Sequence, residues 1–347
     1  MVSAAITGIG SAFPASLDQQ DAWEDFFAAH YDHSPVARRL WRNVGVENRH
    51  AVVDPRHEDL SQASTAMRMA RFVEEVLPLG KSAINAALAA AAITPDDVEL
   101  FTVVSCTGYA TPGVDILVAR DLAMPASTQR LHVGHMGCYA ALPALAAVSD
   151  AAVARGKTGL VLCAELTSLH VQPGAADDLE HVVAHALFSD AVVAAVVEPG
   201  RPGFELVDFH AATDAASAGE MTWQVTDHGF RMGLSSAVPA VLEAHVRPVT
   251  EQLLHRNGLR LGDVDHWAVH PGGPRIISTV ARRLGLGDDD LAVSREVLRA
   301  HGNCSSATVL LVLDELGRRR SPKPGEHIVA MAFGPGLTLY LALLRAR

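Results

Sequence analysis

The sequence predicts a layered α/β fold. Short Val- and Leu-rich runs, apolar enough to be strands buried on both faces, alternate with Ala-rich stretches of helical character. The "EPGRPG" pivot at 198–203 divides this alternation into two similar-sized halves, 1–200 and 201–347. Following the chain, "GKSAINAALAAAAI" (80–93) predicts a helix and "ELFTVVSC" (99–106) a buried strand. A helix follows at "AALPALAAVSDAAVARG" (140–156), then strands at "GLVLCAEL" (159–166) and "AVVAAVV" (191–197). Past the pivot come a helix at 237–258, a strand at "HWAVH" (266–270), a helix at 304–320 and a strand at "HIVAMAF" (327–333). The apolar tract 328–344 is broken by Gly-Pro-Gly, so it reads as two buried strands around a turn and not as a membrane span. No internal repeat is visible residue by residue.

Composition bounds the function. The chain has 347 residues, 49% of them hydrophobic and 5% aromatic, so a large core is available and is built from Ala, Val and Leu. A net charge of −11 argues against nucleic acid or an anionic membrane as the main partner. Cys106, Cys138, Cys163 and Cys304 lack the close pairing of a disulfide framework. The stretch "MVSAAITGIGSAFP" has no basic segment before its apolar run and so is not a signal peptide. These features predict a soluble, cytoplasmic protein.

Cys138, in "VGHMGCYAALPAL" (133–145), admits three readings: an inert core thiol, a corner of a metal site with His132 and His135, or a nucleophile at a helix start. The metal reading lacks a CxxC or HxxxH partner, and no metal is expected. The nucleophile reading rests on Gly137, which permits a sharp turn, and on a following helix whose first N–H groups would favour a thiolate. Such a thiol needs a base and an oxyanion donor. "WAVHPGGPRI" ends a strand on His270, and "HGNCSSATVL" places Asn303 before a helix. Cys163 and Cys304 read as packing residues.

Together the Gly-Cys helix start, His-Pro-Gly-Gly and Gly-Asn-x-Ser-Ser-Ala resemble the type III polyketide synthases, the chalcone-synthase-like branch of the thiolase superfamily. The resemblance runs nearly end to end, through "GVENRH" (45–50), "TPGVD" (111–115), "ELTSLHVQP" (165–173), "ALFSDA" (186–191) and "FGPGLT" (333–338). It implies a thiolase-like five-layered α/β/α/β/α fold and a homodimer with a phosphopantetheine tunnel. Cys138 would take an acyl group from acyl-CoA. His270 and Asn303 would hold the malonyl-CoA thioester oxygen during loss of CO2, His270 also keeping Cys138 ionised. The enolate then extends the acyl chain by two carbons, with CoA thioesters as substrates and no further cofactor.

The resemblance also implies a pocket lined by Cys106, Thr167, His170, Phe188, Ser189, Ser236 and Ser305. For Cys106 the alternative is simple packing at a strand end. Arg38, Arg39 and Arg42 in "ARRLWRN" (37–43) would meet the CoA phosphates, the alternative being a solvated helix face; Asn43 replaces a lysine of plant members. Phe188 matches one gate residue and Ser236 takes the second gate position. Ser189 and His170 add bulk where the family has glycine and threonine, Asp227 falls at another cavity glycine, and Thr111 replaces a methionine that reaches the partner subunit. A shortened pocket is expected, giving a short β-keto acid or pyrone. The rival condensing enzyme, a ketoacyl-carrier-protein synthase of the third kind acting on carrier-bound chains, has His-Gln-Ala-Asn where His270-Pro271-Gly272-Gly273 stands. A hydrolase and a non-catalytic partner protein are the remaining alternatives.

Overall fold

The computed structural model describes residues 3–347; Met1 and Val2, which open the stretch read against a signal peptide, lie outside them. Among the described residues, nine strands form one mixed sheet. From one edge they run His266–Val269, His327–Gly334, Thr338–Ala346, Phe204–Thr213, Ala4–Ala12, Ala191–Pro199, Gly159–Glu165, Leu100–Ser105 and Gln129–Gly134. The two central strands touch only through Ala4–Ile6 and Phe204–Leu206. Outward from this seam each side repeats one pattern: two antiparallel pairings and then a parallel one. The side at 100–134 carries one extra parallel strand. This internal symmetry left no trace in residue identity.

Alternate residues explain the layers. Val161, Val193, Ala195 and Val197 from one half, and Ile328, Ala330, Ala332 and Leu344 from the other, pack with the helices Ala141–Arg155 and Thr308–Arg320 in a shared central core. Their neighbours Leu160, Leu162, Val192 and Val196 face the helix Thr65–Ala91. On the far side Val329, Met331, Leu341 and Leu343 share a core with residues of the helices Val238–Arg256 and Pro274–Leu284. Helix, sheet, helix pair, sheet and helix pair make the five layers. A strand buried on both faces must be apolar at every position, which is why these strands were legible as continuous runs.

The expected helix at 80–93 is the end of the helix Thr65–Ala91, which began fifteen residues earlier. The other three expected helices and all the expected strands fall where the sequence placed them. The stretch Gly137–Arg155 is long and apolar enough to cross a membrane, but its helix lies inside the central core. Outside the nine-stranded sheet, a hairpin of Met221–Thr226 and Gly229–Leu234 was not expected. That hairpin shapes the site.

Candidate active site

Cys138 sits in a single 3-10 turn, Gly137–Tyr139, before the helix Ala141–Arg155 begins. Pro143 falls in that helix's first turn, where its missing N–H costs nothing. Gly137 has φ +76°, and a Cβ there would meet Pro335 Cδ at 2.5 Å, so only glycine lets the turn nest against the 333–338 segment. The turn delivers the thiol to a buried floor. Burial pushes that thiol up to about 12, although the Ser305 and Asn303 side chains within hydrogen-bonding reach of the sulfur pull it down. The expected lowering by the helix start is therefore outweighed by desolvation.

Asn303 enters from the turn before the helix Thr308–Arg320. Its Oδ1 accepts the Ser305 backbone N–H at 2.9 Å, which fixes the amide rotamer and leaves the NH2 as the free donor. Its backbone is tied to the Phe188 segment: the Asn303 N–H donates to Leu187 O at 2.8 Å, and the Ser189 N–H donates to Asn303 O at 3.0 Å. Gly302, at φ +69°, leaves room for this contact, since a Cβ would stand 2.9 Å from that of Ser189. Ser305 itself holds φ +49°, an uncommon conformation for a residue with a side chain.

His270 ends the strand His266–Val269, its N–H donating to Met331 O at 2.7 Å. The ring is fully buried, and neither Nδ1 nor Nε2 has a hydrogen-bond partner. Burial pushes it down to about 3, so on its own it is neutral. An orphaned, neutral imidazole in a protein core is a proton acceptor awaiting a donor.

Two cavities meet here. The one at Cys138 spans roughly 330 Å³, space open to solvent included, and is lined by Cys106, Thr107, Thr167, Phe188, Trp223, Met232 and Ser305, among others. A second, roughly 650 Å³, shares Thr167, Phe188, Trp223 and Met232 with it as a common wall. Of the residues expected in the pocket, Cys106, Thr167, Phe188 and Ser305 line the cavity at Cys138. Cys106 bonds Ser305 Oγ at 3.1 Å and donates to the Glu165 carboxylate, and burial raises its thiol well above the usual range. His170 lines the second cavity, its Nε2–H donating to Thr107 O at 2.7 Å while Nδ1 accepts the Phe230 N–H at 3.0 Å.

Three expectations need correction. Ser189 adds no bulk to either cavity: Phe188 faces the cavities, while Ser189 Oγ points away, accepting the His50 N–H at 2.8 Å. Ser236 is exposed just before the helix Val238–Arg256, and Met232, four residues earlier on the hairpin, is the residue that lines both cavities beside Phe188. Asp227 is exposed at the hairpin tip, and Trp223 fills the space instead, its indole N–H donating to Cys106 O at 2.6 Å. The alternating run "MTWQVT" before "DHG" was the overlooked hairpin signal.

Arg38, Arg39 and Arg42 lie on the exposed side of the helix Pro35–Asn43, whose Ala37 and Trp41 are buried. Among the described residues none of these three guanidinium groups has a salt-bridge partner. His132, His135 and Cys138 form no ligand set, and no cluster of three or more potential ligands occurs among the described residues.

Sequence profiles of the chalcone and stilbene synthase N-terminal and C-terminal domains match residues 2–201 and 209–347. The chain belongs to the chalcone and stilbene synthase family. A 3,5-dihydroxyphenylacetyl-CoA synthase of Amycolatopsis balhimycina is 31% identical over 97% of this chain and 92% of its own. An α-pyrone synthesis polyketide synthase-like protein of Mycobacterium tuberculosis is 32% identical over 97% of this chain and 89% of its own. The crystal structure of PKS-I from the brown alga Ectocarpus siliculosus superposes with a TM-score of 0.93 at 28% identity, covering 100% of this chain and 99% of that one. This type III polyketide synthase has the thiolase-like fold and is a condensing enzyme, one that joins acyl and malonyl thioesters by decarboxylative Claisen condensation.

Proposed function

We propose that Cys138, His270 and Asn303 carry this condensation and that CoA thioesters serve as its substrates, with no further cofactor. The observation that carries the reading is the fixed Asn303 amide beside the Cys138 sulfur, with a fully buried, unpartnered His270 to take a proton. The Cys138 proton passes to His270 as the sulfur attacks the acyl-CoA carbonyl, and the CoA thiolate leaves with that proton. Malonyl-CoA then binds with its thioester oxygen on the His270 and Asn303 donors. The bond to its carboxylate breaks and CO2 leaves. The enolate carbon attacks the acyl carbonyl, expelling the Cys138 sulfur and forming a β-ketoacyl-CoA two carbons longer. Forming thiolate and imidazolium together leaves neither charge alone in a dry site.

The same reading takes residues 1–200 as the half carrying the cysteine and 201–347 as the half carrying the histidine and asparagine. Arg38, Arg39 and Arg42 take the CoA phosphates, which suits three unpaired guanidinium groups on an acidic protein. The enzyme works as a cytoplasmic homodimer, and an acyl carrier protein can stand in for CoA as donor. Trp223 and His170 narrow the site, so products are short β-keto acids or pyrones. Replacing Asn303 by alanine should slow malonyl-CoA decarboxylation and condensation by roughly 100- to 1,000-fold while acyl loading, followed by intact mass, falls far less. Equal loss of both steps would overturn the assignment of Asn303.

A further inference from the structure

The second cavity carries a charge pattern unlike the rest of the protein. Its titratable lining residues are Arg49, His50, His170, His181 and His185, and no Asp or Glu lines it, although the chain as a whole bears −11. Arg49 is fully buried with neutral partners only: its Nε donates to Gln19 Oε1 at 2.7 Å, and its terminal nitrogens to the carbonyls of His185 and Ala186. The nearest acid it senses, Asp190, already accepts from the Val52 and Ser168 N–H groups and from the Thr167 and Ser168 hydroxyls. Asp190 offsets part of the Arg49 charge but does not line the cavity, whose lining holds a buried cation and no acid and is therefore electropositive.

Two imidazoles there also have unused nitrogens. His181 and His185, one turn apart on the helix Leu179–Leu187, are 3% and 8% exposed, and His181 Nδ1 and His185 Nε2 have no hydrogen-bond partner. Tyr31 hydrogen-bonds Nδ1 of His185 at 2.6 Å; with that hydroxyl donating, the ring's own proton sits on Nε2, a donor without an acceptor. Leu17, Phe27, Val53 and Phe230 give the cavity apolar walls, and the Thr167 and Ser168 hydroxyls are engaged with Asp190.

We infer that this cavity receives the far end of the acyl starter, and that the starter it favours is an ω-carboxyacyl thioester, its methylenes on the apolar walls and its carboxylate at Arg49, His181 and His185. Entry is past the shared wall of Thr167, Phe188, Trp223 and Met232 from the cavity of Cys138. The inference rests on Cys138 being the acylated residue. An alkyl chain of equal length would bury the same methylenes yet leave the two imidazole nitrogens without partners.

The test compares glutaryl-CoA with pentanoyl-CoA, and adipyl-CoA with hexanoyl-CoA, as starters for the full-length enzyme with malonyl-CoA. Acylation of Cys138 and kcat/KM are measured for each. The expected result is a preference of about tenfold or more for each carboxylated chain, set by charge-assisted hydrogen bonds. His181→Leu, which breaks no hydrogen bond of Nδ1, should reduce that ratio about tenfold, and His181→Gln should restore part of it. Equal use of both chain types, a preference for the alkyl chains, or a ratio unmoved in His181→Leu overturns the inference while leaving the condensation chemistry intact. Failure of every thioester to acylate Cys138 overturns the assignment of that cysteine and this inference with it.

Discussion

Replacing His270 by alanine separates two ways of holding the Cys138 proton. Burial pushes the isolated thiol up to about 12. A group with that value is ionised in only about one molecule in 10⁵ at pH 7, whereas an unperturbed cysteine near 8.5 is ionised in a few per cent. In the proposed mechanism the proton passes to His270, which is buried, neutral and without a hydrogen-bond partner at either nitrogen. Transfer creates both charges at once, and their attraction in a medium of low polarity offsets what desolvation takes away. Alkylation of Cys138 by iodoacetamide should then vary little between pH 7 and 9. In His270→Ala the thiolate must form alone. The rate should climb about tenfold per pH unit from 7 to 10 and lie at least about a thousandfold below wild type at pH 7. Peptide mass after digestion identifies the labelled cysteine. Cys106 is the internal control, since burial and the Glu165 carboxylate hold its thiol well above the usual range. If the variant alkylates at the wild-type rate with the same flat profile, His270 is not the base and the proposed proton transfer is wrong.

Two further outcomes follow from the same geometry. Trp223→Ala opens the wall between the two cavities, so products at least one condensation longer should appear by mass spectrometry. The side chain is half-buried, so the cost in stability should fall below the roughly 3–5 kcal/mol of a fully buried aromatic; unchanged product length would refute Trp223 as the limit. Acid should destabilise the fold early. His170 and His270 are held down to about 4 and about 3 by burial, against about 6.5 when unfolded, so the unfolded chain binds the extra protons. Their contribution is complete well above pH 6.5 and is lost as pH falls toward the folded values, about 1 kcal/mol each between pH 6.5 and 5.5. A urea midpoint that is flat from pH 7 to 5 would contradict this.

How much of this was legible in the sequence depends on how local the signal is. Cys138, His270 and Asn303 each stand beside residues that their backbone requires: Gly137 at positive φ against Pro335, the strand end before Gly272, and Gly302 packed on Ser189. Such local demands show in a short window. The buried strands were equally plain, because burial on both faces leaves no alternation to misread. The pocket walls were harder. Phe188 and Ser189 are adjacent, and a step of one residue in an extended segment reverses the side chain, so a match to the segment could not say which residue faces the cavity. Trp223 and Met232 reach the site only because the hairpin folds back over Cys106 and Phe188, a contact between distant parts of the chain. The repeated pairing pattern about the central seam is visible in the topology and not in residue identity.

The proposed condensation requires Cys138 to carry the acyl chain. Incubating the enzyme with an acyl-CoA, quenching in acid and sequencing the tryptic peptides by mass tests this directly. The added acyl mass should sit on the peptide containing Cys138 and disappear in Cys138→Ala. Acyl mass found only on Cys106, Cys163 or Cys304, or persisting in that variant, would contradict it.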